Sequence, residues 1–302
     1  MSVRRRFVGM RAAGAVLAAG CAAAPAFAGG GAAPERVMSL DHCADQYVLA
    51  LAERAQIAAL SPRATDSYAY HAGRARGLPQ TAPTAENILM TRPDLVIRLW
   101  GGAPGTADLL ARAGVATLDL PYATDFAATR SNLRRAGAAL GRPAAAERRI
   151  ARMDRRLAKL RARRLPERAR PEAVYLTPSG TTAGAGTFVH RVLVNAGLRN
   201  MGAARGRSGW YRLDLERLAM NPPEVVVVAA FAASMRMDFW AITRHSFMQR
   251  LFARVPVIRV PGRLLTCQAW YAVAAMARIQ DRLAELPGML RPARKAAATG
   301  AR

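Results

Sequence analysis

Apolar residues along the chain recur in two alternating patterns: short, nearly continuous runs rich in Val, Ile and Leu, and segments in which apolar residues return every three or four positions. The runs predict strands over 36–40, 57–60, 95–99 and 117–120, separated by helices over 44–52, from Glu86 and over 107–113, with a polar loop region over 63–83. The second half begins the scheme again, with strands over 173–177, 225–229 and 257–260 and helices over 188–195, from Glu216 and over 269–286. Strand alternating with helix argues for right-handed parallel crossovers, hence an α/β protein with mainly parallel sheets.

The halves share more than their order of elements. Ala85-Glu86-Asn87-Ile88-Leu89-Met90-Thr91-Arg92-Pro93-Asp94-Leu95-Val96 is echoed by Leu215-Glu216-Arg217-Leu218-Ala219-Met220-Asn221-Pro222-Pro223-Glu224-Val225-Val226. Each copy places a glutamate in the first turn of a short helix, ends that helix at proline, and follows with an acid and a buried β-branched strand. One unit used twice implies two Rossmann-like lobes and a matched pair of surface carboxylates, Glu86 and Glu216. Between the lobes, 143–164 reads as one helix. Pro143 opens it, Ile150, Met153, Leu157 and Leu160 share a face, and most of the arginines take the other, Arg148, Arg149, Arg152, Arg155 and Arg156 among them. The expected organisation is a leader over 1–28, a first lobe over 35–142, a connecting helix over 143–165, a second lobe over 171–287 and a flexible tail over 288–302.

Composition narrows the function. The formal charge is +25, but only Lys159 and Lys295 are lysines and the arginines are dispersed, without a nucleic-acid recognition motif. Nucleic acid is therefore not the expected partner. The four histidines are scattered, and there is no G-x-S-x-G, H-E-x-x-H or phosphate-binding loop, so the chain is not expected to be an enzyme. Gly184-x-Gly186 lacks the third glycine of a dinucleotide fingerprint, and no cofactor is expected. Arg4, Arg5, Arg6 and Arg11, the apolar run 12–24 and Ala26-Phe27-Ala28 form an export signal with a cleavage site. Arg4-Arg5-Arg6-Phe7-Val8 resembles a twin-arginine signal, and Cys21 stands in an imperfect lipoprotein box as the alternative anchor point. The mature chain keeps Cys43 and Cys267. A disulfide, free thiols, or ligation of a transition metal by His42 and Cys43, with Cys267 and His71 across the cleft, all remain open; no metal site is assigned.

The strand, polar turn and helix at the start, the Glu86–Ile97 block, the Trp100-Gly101-Gly102 turn, the long connecting helix and the repeat of the scheme together resemble the class III, helical-backbone periplasmic substrate-binding proteins of ABC importers, over residues 35–286. The resemblance implies a monomeric periplasmic receptor with a cleft between two lobes. It implies capture of a ferric siderophore, haem or cobalamin, and delivery to a permease dimer in the inner membrane with its ATPase subunits. It also implies that Glu86 and Glu216 dock on that permease; Asp108, after the Trp-Gly-Gly turn, is the alternative acid in the first lobe. Open α/β sheets bind ligands at the carboxyl ends of their strands. By that rule the expected contacts are Asp41, His42, Cys43, Tyr68, Tyr70, Trp100, Tyr122, Thr181, Trp210, Tyr211, Cys267 and Trp270, with His71 and Thr182 beside them. A competing reading is a basic periplasmic adaptor that binds anionic envelope polymers through the arginine face of the long helix and takes no small-molecule ligand.

Overall fold

The computed structural model describes residues 32–230 and 245–286; the expected leader and tail lie outside them. The first lobe contains β1 (Val37–Ser39), α1 (His42–Leu51), β2 (Ile57–Ala59), α2 (Ala72–Ala75), α3 (Ala85–Thr91), β3 (Leu95–Arg98), α4 (Thr106–Arg112), β4 (Ala116–Asp119) and α5 (Phe126–Ala139). The long helix α6 (Pro143–Ala162) follows. The second lobe contains β5 (Glu172–Leu176), β6 (Thr181–Ala183), α7 (Phe188–Asn195), β7 (Arg199–Asn200), α8 (Met201–Ala204), β8 (Trp210–Arg212), α9 (Leu215–Met220), β9 (Val225–Ala230), α10 (Ser246–Arg254), β10 (Val257–Pro261) and α11 (Val273–Ala284).

Each lobe carries a four-stranded parallel sheet, ordered β2-β1-β3-β4 in the first and β7-β5-β9-β10 in the second. With β5 matched to β1 and β9 to β3, the two orders are the same. Side chains alternate across each sheet, as the period of two along a strand requires. Val37, Leu95, Ile97 and Leu118 on one side, and Ala173, Tyr175, Val225 and Val227 on the other, face a common core built around α6. Met38, Leu40 and Val96 pack outward under α3 and α4, while Val174, Val226 and Val228 pack outward under α9 and α10. Strands covered on both faces explain why their sequence reads as continuous apolar runs.

At 20 residues, α6 extends about 30 Å. Pro143 at its start supplies a preset φ where no backbone donor is needed. Its stripe of Ile150, Met153, Leu157 and Leu160 is buried. Arg130 clasps Asp154 and Arg134 clasps Glu147, tying α5 to α6. At the other end Arg161 donates to Asn195 Oδ1 (2.7 Å) and Gln280 Nε2 to the Leu160 carbonyl (2.7 Å), tying α6 to α7 and α11. The rod is therefore fastened to both lobes.

Several elements depart from the sequence reading. The segment expected as one helix over 269–286 begins instead with a 3-10 turn, Trp270–Ala272, before α11. The polar region 63–83 includes the short helix α2, and the antiparallel pair β6–β8 and helix α10 were not anticipated. The three-residue strands and the single-turn α2 are too short to display a period; at nine residues α10 is not.

Candidate functional site

The loop between β1 and α1 is organised by one carboxylate. Asp41 is 2% exposed; its Oδ1 caps α1 by accepting from the amides of Cys43 (3.0 Å) and Ala44 (2.9 Å). Its Oδ2 accepts from the amides of Leu99 (2.8 Å), Trp100 (3.1 Å) and Gly101 (3.0 Å). The Trp-Gly-Gly turn is thus wrapped around an acid from the neighbouring strand. A Cβ at residue 101 would collide with the Leu40 carbonyl, so only glycine fits. Asp41 holds the rim rather than presenting itself to the cleft.

On that rim the His42 ring lies edge-on to Tyr68 (5.5 Å between centroids) and to Trp100 (5.3 Å), and Arg63 Nη1 donates to Tyr68 Oη (2.9 Å). Trp100 is 62% exposed, and Tyr122, just beyond β4, is 53% exposed. Burial lowers the His42 pKa despite the neighbouring Asp41 carboxylate, and its Nδ1 is buried without a partner. Its Nε2 lies 3.5 Å from Cys43 Sγ, so the imidazole is packed against its neighbours, and Tyr68 beside it is a half-buried phenol whose pKa burial raises.

The second lobe contributes the β6–β8 pair, set at the carboxyl end of β5. Trp210 is 45% exposed, with its ring edge-on to buried Tyr175 at 6.0 Å. Tyr211 is half-buried beneath the Arg207 guanidinium (4.8 Å), Thr181 is half-buried, and Thr182 is buried in the pair.

The remaining expected contacts close the seam between the lobes. Cys43, in the first turn of α1, forms a disulfide with Cys267 of the second lobe. Both are buried, and the bond takes up the thiolates that metal ligation would have needed. Tyr70 stacks on Tyr271 (4.0 Å), Tyr47 meets Trp270 edge-on (5.1 Å), and Phe126 meets Phe188 (5.2 Å), each pair crossing from one lobe to the other. His71 packs against Trp270; burial, then Arg149 and Arg74, lowers its pKa to about 4. Trp270 is only 5% exposed. The partner role of Tyr271 escaped the sequence reading, although the Trp270-Tyr271 pair marks the spot. Arg149 also escaped it, because helical periodicity placed it on a solvent face.

The duplicated blocks place similar residues at equivalent positions. Glu86 and Glu216 are both exposed, in the first turns of α3 and α9, which are capped by Thr84 and Asp214. Ile88 and Leu218 are buried, whereas Met90 and Met220 are 74% and 72% exposed. Asp94 accepts from the amides of Glu35 (2.7 Å) and Arg36 (3.0 Å) ahead of β1, and Glu224 accepts from the amide of Glu172 (2.6 Å) at the start of β5. Asp108 is exposed on α4, outside the duplicated unit. No described helix is long and apolar enough to cross a membrane.

Residues 37–243 match the periplasmic binding protein family, and the chain belongs to that family. It is a solute-binding protein rather than an enzyme. No curated protein matches it. Among solved structures it is similar to the periplasmic heme-binding protein RhuT from Roseiflexus sp. RS-1 in apo form, with 22% identity and TM-score 0.65, over 82% of this chain and 98% of that one. It is also similar to a periplasmic heme-binding protein from Pseudomonas aeruginosa, with 23% identity and TM-score 0.64, over 86% of this chain and 95% of that one. An ABC-type Fe3+-hydroxamate transport system protein from Saccharomonospora viridis DSM 43017 aligns with 19% identity and TM-score 0.62, over 83% of this chain and 93% of that one. At such identities the likeness is one of fold.

Proposed function

We propose that this protein captures haem in the periplasm, in the cleft between its lobes, and delivers it to the permease dimer of an ABC importer. One observation carries the ligand choice: both lobes expose aromatic rings beyond the carboxyl ends of their strands, Trp100 and Tyr122 from the first and Trp210 from the second. Rings offered from two sides suit a flat macrocycle, which they cover with large apolar contact. Tyr68, which like Trp100 packs against His42, is the group able to meet the iron once its proton is displaced; the Arg63 guanidinium on its oxygen favours the phenolate, while burial and Asp66 oppose it. The heme-binding names of similar structures support this reading. Glu86 and Glu216 are the docking acids, because among the described residues only they are acids that recur at equivalent exposed positions.

The test is titration of the purified apo-protein with hemin, followed through the Soret band, alongside a ferric hydroxamate and cyanocobalamin. Saturation by hemin at one or two equivalents is expected, with Trp100→Ala and Trp210→Ala each weakening it by about 5- to 100-fold. No Soret change with hemin, or saturation by the hydroxamate alone, would overturn the haem assignment.

A further inference from the structure

Five arginines meet in one pocket. Arg74 from α2 and Arg142, Arg148, Arg149 and Arg152 from the first turns of α6 and its approach line a space of about 330 Å³ beside the end of α1. The sequence spreads these residues over two segments, and only the packing of α6 against the first lobe gathers them. Arg142 is neutralised by Glu53. Arg149 Nη2 donates to the Ala50 carbonyl (3.0 Å) and its guanidinium lies 5.3 Å from the centre of the Trp270 ring, while its Nε is buried with no partner. The side chains of Arg74, Arg148 and Arg152 make no hydrogen bond or ion pair among the described residues. Burial, and Arg74 and Arg152 alongside, lower the pKa of Arg149, as expected where like charges crowd without a counter-ion. A concave wall of guanidinium groups focuses positive potential, and their planar forks match phosphate oxygens two at a time.

We propose that this pocket binds a polyvalent phosphate anion, at a site separate from the ligand cleft. Two sources share that chemistry: a soluble oligophosphate and the phosphate headgroups of an envelope lipid. Arg149 touches Ala50 of the first lobe and Trp270 of the second, so an anion neutralising the cluster also steadies the seam between them.

The experiment uses the mature full-length protein at physiological ionic strength, where unspecific contacts are screened. Sodium pyrophosphate is titrated calorimetrically, and flotation is measured with phosphatidylglycerol–cardiolipin vesicles and with phosphatidylcholine vesicles. The pocket variant R74Q/R148Q/R152Q is compared with R155Q/R156Q/K159Q, which removes the same charge from exposed positions farther along the same helix, outside the pocket lining. Saturable pyrophosphate binding that the pocket variant weakens roughly tenfold or more, and the control variant by about twofold at most, supports the site with a soluble ligand. Flotation with the anionic vesicles alone, lost in the pocket variant and competed by pyrophosphate, supports it with a lipid headgroup. Absence of both, or equal loss in the two variants, overturns it. Circular dichroism of both variants separates lost binding from lost folding.

Discussion

The two lobes share a strand order and a duplicated helix–strand unit, yet they hold their cleft-side loops with different chemistry. In the first lobe the work is done by buried carboxylates: Asp41 gathers five backbone amides, and Asp45 accepts from Ser39 Oγ and from the Ser61 amide (2.9 Å) and hydroxyl (2.6 Å). In the second lobe the corresponding work falls to neutral groups. Asn200 donates to the Ala183 carbonyl (2.9 Å) and accepts from the Gly202 amide (3.0 Å), and Thr187 caps α7 and donates to the Gly184 carbonyl (2.9 Å). Topology and the outward unit are duplicated; the means of fixing the ligand-side loops is not. What must match on the outside is what a partner with two equivalent faces would read, whereas the cleft-side loops are free to diverge with the ligand.

The sharpest way to break that comparison is charge reversal at the matched acids. E86K/E216K is expected to abolish haem uptake by cells expressing the protein with its importer, with each single reversal intermediate and hemin affinity within about twofold of the parent, because ion pairs of this kind set orientation and encounter more than cleft chemistry. Normal uptake by the double variant would remove the docking assignment. Failure of D108K with normal uptake by E86K would move the first-lobe acid to α4.

Removing the loop organisers tests the difference between the lobes. Asp41→Ala leaves five amides without their acceptor, those of Cys43, Ala44 and Gly101 buried, and is expected to cost about 3–5 kcal/mol of unfolding free energy. Asn200→Ala removes two neutral hydrogen bonds to the backbone and one to His190 Nδ1, and is expected to cost about 1–3 kcal/mol. Urea unfolding of both variants measures this, and equal losses would show that the charged and neutral devices are interchangeable.

How legible these features were depends on how local they are. Strands covered on both faces announce themselves as Val225-Val226-Val227-Val228, and α6 announces itself through Pro143 and its four-residue apolar stripe. The duplicated acids were visible because each lies within one contiguous block. Asp41 was placed at the rim but as a ligand contact, since a side chain that accepts from residues 58 to 60 positions away leaves no local trace. The seam was hidden for the same reason: Tyr70–Tyr271 and Cys43–Cys267 join residues about two hundred positions apart. The arginine pocket combines a helix face that periodicity consigns to solvent with a residue from an irregular segment.

The first lobe should also respond to pH more strongly than the second. Burial raises the Asp45 pKa to about 7, so the folded chain holds that proton more tightly than the unfolded one. Its contribution to stability is complete below the ordinary carboxylate range and is lost as pH rises through 7. His71 acts in the opposite direction. Its pKa is lowered to about 4, so the unfolded chain takes up the proton first, and its contribution is lost as pH falls from about 6.5 toward 4. The His71 slope, to which His42 adds because burial lowers its pKa as well, opposes that of Asp45 over the same interval. In D45N the histidine slopes stand without the opposing acid, and stability should climb with pH from 4.5 to 6.5 by about 2 kcal/mol or more; in H71Q it should fall, with His42 offsetting part of the change. In the second lobe no carboxylate is buried among the described residues, and the half-buried His190, lowered by burial and by Arg191, gives only a shallow dependence. Urea midpoints at the two pH values decide the matter: parallel profiles for the parent and both variants would mean that the buried acid and the seam histidine do not set the proton balance of the fold.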